Sequence, residues 1–352
     1  MPRAAEVRAI ERVWYGEGAL PALGRAALAP LEALYAAATA TRGALYDARL
    51  LRAHASRIAV VGVGNLTVGG TGKTPVSAWL ARRLAERGAH PAIVLRGYGA
   101  DEPLVHQQLN PEIPVIVSAD RVAGIARAAE LDADVAVLDD AFQHRRAARD
   151  ADVVLVSADR WGARRRLLPA GPWREPARAI RRASLVLVTR KAASRERAER
   201  VSAEVGAIAP GVPRAVVHLA PGALRRAADP AADPVEEPID GMAGARVLAI
   251  SAIGDPGAFR AQLAETGATV LDAAFPDHHR FVAADAASLA ARAETEGARP
   301  VCTLKDAVKL APLWPRAASP LWYVSQQLSV ETGADHLDHL VTALLGTSHR
   351  QP

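Results

Sequence analysis

One stretch constrains this chain more than any other: Gly64-Asn65-Leu66-Thr67-Val68-Gly69-Gly70-Thr71-Gly72-Lys73-Thr74-Pro75, directly after the apolar run Arg57-Ile58-Ala59-Val60-Val61-Gly62-Val63. The apolar run reads as a strand covered on both faces. Glycines let the backbone after it turn sharply and aim N–H groups at phosphate oxygens. Gly72-Lys73-Thr74 matches the end of a Walker A loop, in which Lys73 reaches the β- and γ-phosphates and the Thr74 hydroxyl binds Mg²⁺. Helical spacing over Pro75 to Arg87 predicts a helix starting at Pro75, whose N-terminus adds positive potential. Thr67 stands where the strict pattern has Gly, so Gly69 and Gly70 are expected to supply the freedom to turn.

A second motif answers the first. Val135-Ala136-Val137-Leu138 is an apolar strand ending in Asp139-Asp140. A phosphate loop needs a carboxylate near its metal, and the carboxyl edge of an α/β sheet is where such groups are aimed. Adjacent Asp side chains point in different directions, which predicts separate roles for Asp139 and Asp140. Gln143 and His144, expected about one helical turn later, are placed along the same site.

Further strand-like runs at Ala92–Leu95, Val115–Val117, Val153–Val156 and Leu185–Val188, with a helical stretch over Arg121–Leu131, predict a mostly parallel sheet with flanking helices. The fold class expected is therefore α/β, P-loop NTPase-like. Pro221, Pro230, Pro234 and Pro238 punctuate a stretch without periodicity, after which β/α alternation restarts. Four segments are expected: 1–56, N-terminal amphipathic helices; 57–222, the nucleotide-binding core; 223–245, a linker; and 246–346, a second, smaller α/β domain.

Residues 1–56 are Ala- and Leu-rich from Ala19 to Leu51, with Arg25, Arg42 and Arg49 spread among Trp14, Tyr15, Tyr35 and Tyr46. The pattern predicts amphipathic helices broken near Pro30. Such a face suits either a bilayer interface or docking on the protein's own core.

Composition bounds the alternatives. One cysteine, Cys302, excludes an intrachain disulfide framework and a multi-cysteine metal site. No uninterrupted apolar run reaches the length of an ordinary transmembrane span. The first residues lack the pattern of a signal peptide, which places the chain in the cytoplasm or on its membrane face. A formal charge of +5 fits solubility or an anionic partner.

Taken in order, the motifs resemble the lipid A 4'-kinase (tetraacyldisaccharide 4'-kinase) family. The likeness covers the phosphate loop, including its Thr67, then Arg96-Gly97-Tyr98-Gly99, Asp101-Glu102-Pro103 and Asp139-Asp140-Ala141-Phe142-Gln143-His144. It continues through Leu168-Pro169-Ala170-Gly171-Pro172-Trp173-Arg174-Glu175, Phe275-Pro276-Asp277-His278-His279-Arg280-Phe281 and Thr303-Leu304-Lys305-Asp306-Ala307-Val308-Lys309. Two departures stand out. Only Ala100 separates Gly99 from Asp101, where the family has some twenty residues. Leu304 replaces a family Glu.

The resemblance implies transfer of the ATP γ-phosphoryl group to the 4'-hydroxyl of a tetraacyldisaccharide 1-phosphate, with ATP and Mg²⁺ as cofactors. It implies Asp101 as the base paired with His278, His279 being the alternative partner. Lys73 and Asp139 complete the catalytic set. Phosphate contacts fall to Thr67 through Thr74 and to Arg121, Asp140, Gln143, His144, Arg174 and Glu175; Thr74, Asp139, Asp140 and Glu175 would serve the metal. A lipid acceptor gives residues 1–56 a purpose at the cytoplasmic face of the inner membrane, with the enzyme acting there as a monomer. A GTPase reading fails on its guanine motif, since Thr303-Leu304-Lys305-Asp306 lacks the Asn. A nucleic-acid module would need a basic stripe with stacking aromatics, and only the short cluster from Arg160 to Arg166 approaches one.

Overall fold

The computed structural model describes residues 4–97, 101–162, 164–227, 235–254, 256–277 and 279–348. In chain order the elements are α1 (Ala4–Tyr15), α2 (Ala19–Asp47), β1 (Ala59–Asn65), α3 (Lys73–Glu86), β2 (Pro91–Leu95), α4 (Asp101–Leu109), β3 (Val115–Val117), α5 (Arg121–Glu130), β4 (Val135–Asp139) and β5 (Ala151–Ser157). They continue with β6 (Leu185–Arg190), α6 (Arg195–Ile208), β7 (Arg214–Arg226), β8 (Glu236–Glu237), β9 (Arg246–Ser251), α7 (Pro256–Glu265) and β10 (Thr269–Ala274). The last are α8 (Ala283–Thr295), β11 (Arg299–Thr303), α9 (Leu304–Leu310), β12 (Trp322–Thr332) and α10 (Ala334–Ser348).

The chain forms two compact units. The first holds the chain up to Arg96, Glu112–Val217 and the chain from Val330 onward. The second holds Gly97–Pro111 and His218–Ser329. The units are not the contiguous stretches expected from sequence. Helix α4 clusters with the second unit because it packs on α9, and α10 clusters with the first because it packs on β1, α3, β4 and β6. The expected linker 223–245 is partly regular: β7 runs to Arg226 and pairs antiparallel with β8.

In the first unit the strand order is β3-β2-β4-β1-β5-β6, next to the first residues of β7. The pairs β2–β3, β2–β4, β1–β4, β1–β5 and β5–β6 are parallel. Every residue of β1, β2 and β4 is buried, as continuous Val, Ala, Ile and Leu runs require of strands covered on both faces. Ile125 and Ala128 of α5 pack with Val60, Val94 and Leu138, while Ala198 and Val201 of α6 pack with Val186 and Val188. After β1 the chain leaves through α3 toward β2, and after β4 it crosses to β5 on the other side of β1. β1 therefore stands at the topological switch point, where ligands of open α/β sheets bind. In the second unit β10-β9-β11-β12 form the order, again with parallel pairs.

Two local expectations are corrected. Helix α2 runs through Pro30 without a break. The carbonyl left without its partner belongs to Ala26, which is exposed as Pro30 is, so water can satisfy it. Helix α3 starts at Lys73, not Pro75. Pro75 then falls in the first turn, where backbone N–H groups lack intrahelical partners and a missing one costs nothing.

Candidate functional site

Parallel pairing aligns the carboxyl ends of β1 and β4, with Val63 opposite Asp139. The phosphate loop and the acidic pair thereby leave the sheet side by side. Gly64 makes this possible. A Cβ there would lie 2.7 Å from both the Cβ and the backbone nitrogen of Phe142, so only glycine lets the Asp139–Phe142 turn cross so closely. The left-handed positions of the loop are Gly69 (φ 114°) and Gly72 (φ 90°). Thr67 is not among them; it makes an antiparallel bridge with Trp173, while the Val68 N–H donates to the Pro172 carbonyl at 2.8 Å. This accounts for Thr67 in place of Gly: the backbone there is paired, and the turning is done further along.

Sequence reasoning passed over the buried hub of the loop, Asn65. Its Nδ2 donates to the Thr71 hydroxyl at 2.8 Å, its Oδ1 accepts from Lys73 Nζ at 3.4 Å, and its carbonyl accepts from Gln143 Nε2 at 2.9 Å. The signal was a polar side chain ending an otherwise apolar strand. The Thr189 hydroxyl at the end of β6 donates to the Thr71 carbonyl at 3.0 Å, tying a third strand to the loop. Two further cations stand at the loop. Lys191 Nζ donates to the Gly70 carbonyl at 3.3 Å, and an Arg160 guanidinium nitrogen lies 2.7 Å from where a Gly69 Cβ would be.

The two aspartates do have different partners. Asp139 is buried and its Oδ1 accepts from Ser77 at 3.1 Å. Asp140, in the left-handed region at φ 50°, lies 3.7 Å from Lys73 Nζ and accepts from Arg174 at 2.8 and 3.0 Å. Arg121 is buried at the start of α5 and reaches back to the Ser118 carbonyl at 2.7 Å and the Asp139 carbonyl at 3.3 Å. Lys73, Asp139, Asp140, Arg121, Gln143 and Arg174 are thus brought together. Residues 141–146 form an irregular turn rather than the helical turn expected for Gln143 and His144. Burial, and then the Arg121 guanidinium, push the His144 imidazole down to about 4, against a weaker pull from Asp140, so the ring is neutral at physiological pH.

Hard oxygen donors suit Mg²⁺, which takes one or two carboxylates and otherwise water and substrate phosphates. Thr74 and the Asp139–Asp140 pair supply that chemistry. Glu175, the fourth residue expected at the metal, is held fork-to-fork by Arg182 at 2.8 and 3.2 Å. Among the described residues no cluster of three or more His, Cys, Asp or Glu forms a metal cage.

Asp101 belongs to the second unit. It opens α4 and is buried, with Lys305 Nζ and Lys309 Nζ at 3.8 and 3.9 Å from its Oδ2. His278, its expected partner, lies outside the described residues. His279 is paired elsewhere, with Asp285 Oδ2 at 3.0 Å and stacked on Phe275.

The N-terminal helices belong to the first unit. Arg25, expected on an interfacial face, is instead buried, donating to the carbonyls of Val13 and Gly16 at 2.6 and 3.0 Å and so closing the end of α1. One face of α2 docks: the Tyr35 hydroxyl donates to the Arg174 carbonyl at 3.0 Å, and Glu32 pairs with Arg166 at 2.7 Å. Another face does not. Leu20, Leu23, Leu31 and Leu34 are exposed and, at 3.6 residues per turn, fall within about 80° of arc. Both readings of this segment therefore have a surface in the structure. A cavity of about 320 Å³ lies beside the loop, lined by Trp14, Tyr15, Thr67, Arg160 and Trp173 among others.

Comparison with known proteins points to one family. The family described as LpxK: Tetraacyldisaccharide-1-P 4'-kinase matches residues 24–345. The chain is 40% identical over 370 residues to the tetraacyldisaccharide 4'-kinase of Anaeromyxobacter sp. (strain Fw109-5), covering 96% of each. It is 38% identical over 359 residues to that of Halorhodospira halophila (strain DSM 244 / SL1), again covering 96% of each. A crystal structure of "apo" form LpxK from Aquifex aeolicus in complex with ATP superposes with a TM-score of 0.71 at 28% identity, covering 92% of this chain and 99% of that one.

Proposed function

Since the chain belongs to the tetraacyldisaccharide-1-P 4'-kinase family, we propose that it transfers the γ-phosphoryl group of ATP to the 4'-hydroxyl of a tetraacyldisaccharide 1-phosphate, the step of lipid A biosynthesis that forms lipid IVA. The observation that carries the reading is the charge cluster over the phosphate loop, with Lys73 3.7 Å from Asp140 and Arg174 2.8 Å from the same carboxylate.

Phosphoryl transfer leaves the protein little covalent chemistry; it positions reactants and neutralises charge. Lys73 and the loop amides hold the triphosphate tail, and Arg121, Arg174 and Gln143 surround it. Thr74, Asp139 and Asp140 would hold Mg²⁺, which would supply positive charge against that developing on the phosphoryl group. Asp140 meets both Lys73 and Arg174, which keeps a half-exposed carboxylate in place beside the loop. Neutral His144 adds no competing charge. Asp101 takes the proton of the attacking hydroxyl, a poor nucleophile without a base.

The acceptor is a lipid, and the exposed leucines of α2 are the surface that meets it. No helix among the described residues is long and apolar enough to cross a membrane, so contact is proposed to be interfacial, at the cytoplasmic face of the inner membrane.

The test is transfer of radiolabelled γ-phosphate from ATP to the purified disaccharide 1-phosphate. Lys73→Ala and Asp101→Ala are each expected to lower kcat/KM by at least about a hundredfold. Native activity in Lys73→Ala would end the proposal; native activity in Asp101→Ala alone would end only the assignment of the base.

A further inference from the structure

The segment from Arg166 to Glu175 braces the phosphate loop. The Arg174 N–H donates to the Leu66 carbonyl at 2.7 Å, Trp173 bridges Thr67, and the Pro172 carbonyl accepts from the Val68 N–H at 2.8 Å. The segment is itself a tight turn. The Gly171 N–H donates to the Leu167 carbonyl at 2.8 Å and the Leu168 N–H to the Trp173 carbonyl at 2.9 Å. A Cβ at Gly171 would lie 2.2 Å from the Arg166 carbonyl oxygen. With so little internal space, the turn transmits a displacement at one end to the other.

The outer side of this turn is held by the N-terminal helices. Glu32 of α2 holds its start: Oε1 accepts from the Leu167 N–H at 2.7 Å, and Oε2 accepts from Arg166 Nε at 2.9 Å, with a second guanidinium nitrogen 2.7 Å away. Tyr35 holds its end, its hydroxyl donating to the Arg174 carbonyl at 3.0 Å. Trp14 of α1 holds the middle, its indole N–H donating to the Pro169 carbonyl at 2.8 Å. Glu32 and Tyr35 are three residues apart and share one face of α2. The Tyr35 ring packs on the core cluster that contains Leu66, Phe142 and Trp173. Burial, and then the Glu175 carboxylate, push the Tyr35 phenol above its ordinary value, so the hydroxyl keeps the proton it donates.

Arg174 is therefore fixed by its N–H on the phosphate loop, by its carbonyl on Tyr35 and by its guanidinium on Asp140 at 2.8 and 3.0 Å. A flexible side chain anchored in this way gives up less freedom when it meets an anion. We infer that Tyr35 and Glu32 are positioning residues for ATP: they hold the turn so that the Arg174 guanidinium stands preset beside the phosphate loop. The docked face of α2 thereby belongs to the nucleotide site. The inference rests on the kinase reading only for Arg174 meeting nucleotide phosphates, and ATP affinity tests it apart from transfer.

The measurement is calorimetric titration of ATP with Mg²⁺ into the full chain, for native protein, Tyr35→Phe, Glu32→Gln, Arg174→Met, Tyr35→Phe/Arg174→Met and Thr39→Val, with transfer assayed on the same set. Tyr35→Phe keeps the ring and removes one hydrogen bond, so its melting midpoint should stay within about 4 °C of native. The Kd for ATP should rise about three- to tenfold in Tyr35→Phe and in Glu32→Gln. KM for the lipid acceptor should stay within about twofold in both. In the Arg174→Met background Tyr35→Phe should add less than about twofold, because the guanidinium it positions is gone; a merely structural role would give additive losses. Thr39→Val removes a hydroxyl that donates to the Tyr35 and Ala36 carbonyls within α2, and should bind ATP as the native chain does. If Glu32→Gln fails to fold, Tyr35→Phe and its double variant decide. Native ATP affinity in Tyr35→Phe or in Arg174→Met overturns the inference. So do additive losses in the double variant, or a loss in Thr39→Val as large as that in Tyr35→Phe. The expected shifts in ATP affinity without transfer to the disaccharide 1-phosphate by native protein would overturn the acceptor reading and leave the positioning role standing.

Discussion

The exposed leucines of α2 allow a prediction with a magnitude. Leu23 and Leu34 are 65% and 68% exposed, together about one and a third whole leucine side chains. Full burial of a leucine is worth about 1.5–3 kcal/mol, so complete immersion of this pair would contribute about 2–4 kcal/mol. A helix lying in the interface immerses about half that surface, which leaves about 1–2 kcal/mol. Leu23→Gln/Leu34→Gln should therefore weaken partition onto vesicles of anionic phospholipid by about 5- to 30-fold, read by co-sedimentation. Gln is a helix former close to Leu, and neither side chain packs on the core, so the unfolding free energy should stay within about 0.5 kcal/mol of native. Turnover of acceptor presented in vesicles should fall in step with partition, while turnover of a short-chain, water-soluble acceptor should not change. Undiminished partition would refute the reasoning, since the stripe would then be a solvated helix face. An equal loss on the soluble acceptor would also refute it, because the leucines would then act on the site and not on the membrane.

Other expectations are simpler to check. Gly64→Ala places a methyl group 2.7 Å from Phe142 backbone and side-chain atoms; chemical denaturation should show a loss of about 1–3 kcal/mol, with lower transferase activity because the Asp139–Asp140 turn must move. His144 binds a proton less tightly in the folded chain, at about 4, than in the unfolded chain, near the ordinary 6.5. Its contribution to stability is thus complete above about pH 6.5 and is lost as pH falls toward 4. In metal-free buffer, His144→Gln should flatten the decline of the urea midpoint across that window; an unchanged slope would mean the ring is solvated.

Much of the site was legible in the chain itself, because its logic is local. A strand, a glycine loop and a helix that starts within two residues of Lys73 make one continuous anion cradle, and an apolar strand ending in Asp139-Asp140 delivers carboxylates by the period of its backbone. Hydrophobic runs placed β1 through β6 closely, since buried parallel strands leave an unbroken apolar signature.

What local pattern could not carry was who meets whom. Asn65 became the hub of the loop only when the turn after β4 brought the Gln143 amide to its carbonyl, and Glu175 was drawn to Arg182 by a fold no spacing announces. Helix α4 left its sequence neighbours to pack on α9, placing Asp101 between two lysines some two hundred residues further along the chain. The sequence by itself determined the element types and the phosphate-binding chemistry, which depend on neighbouring residues. Only tertiary structure decided the charge partners and the compact units, because Coulomb and packing energies depend on distance in space, to which separation along the chain is no guide.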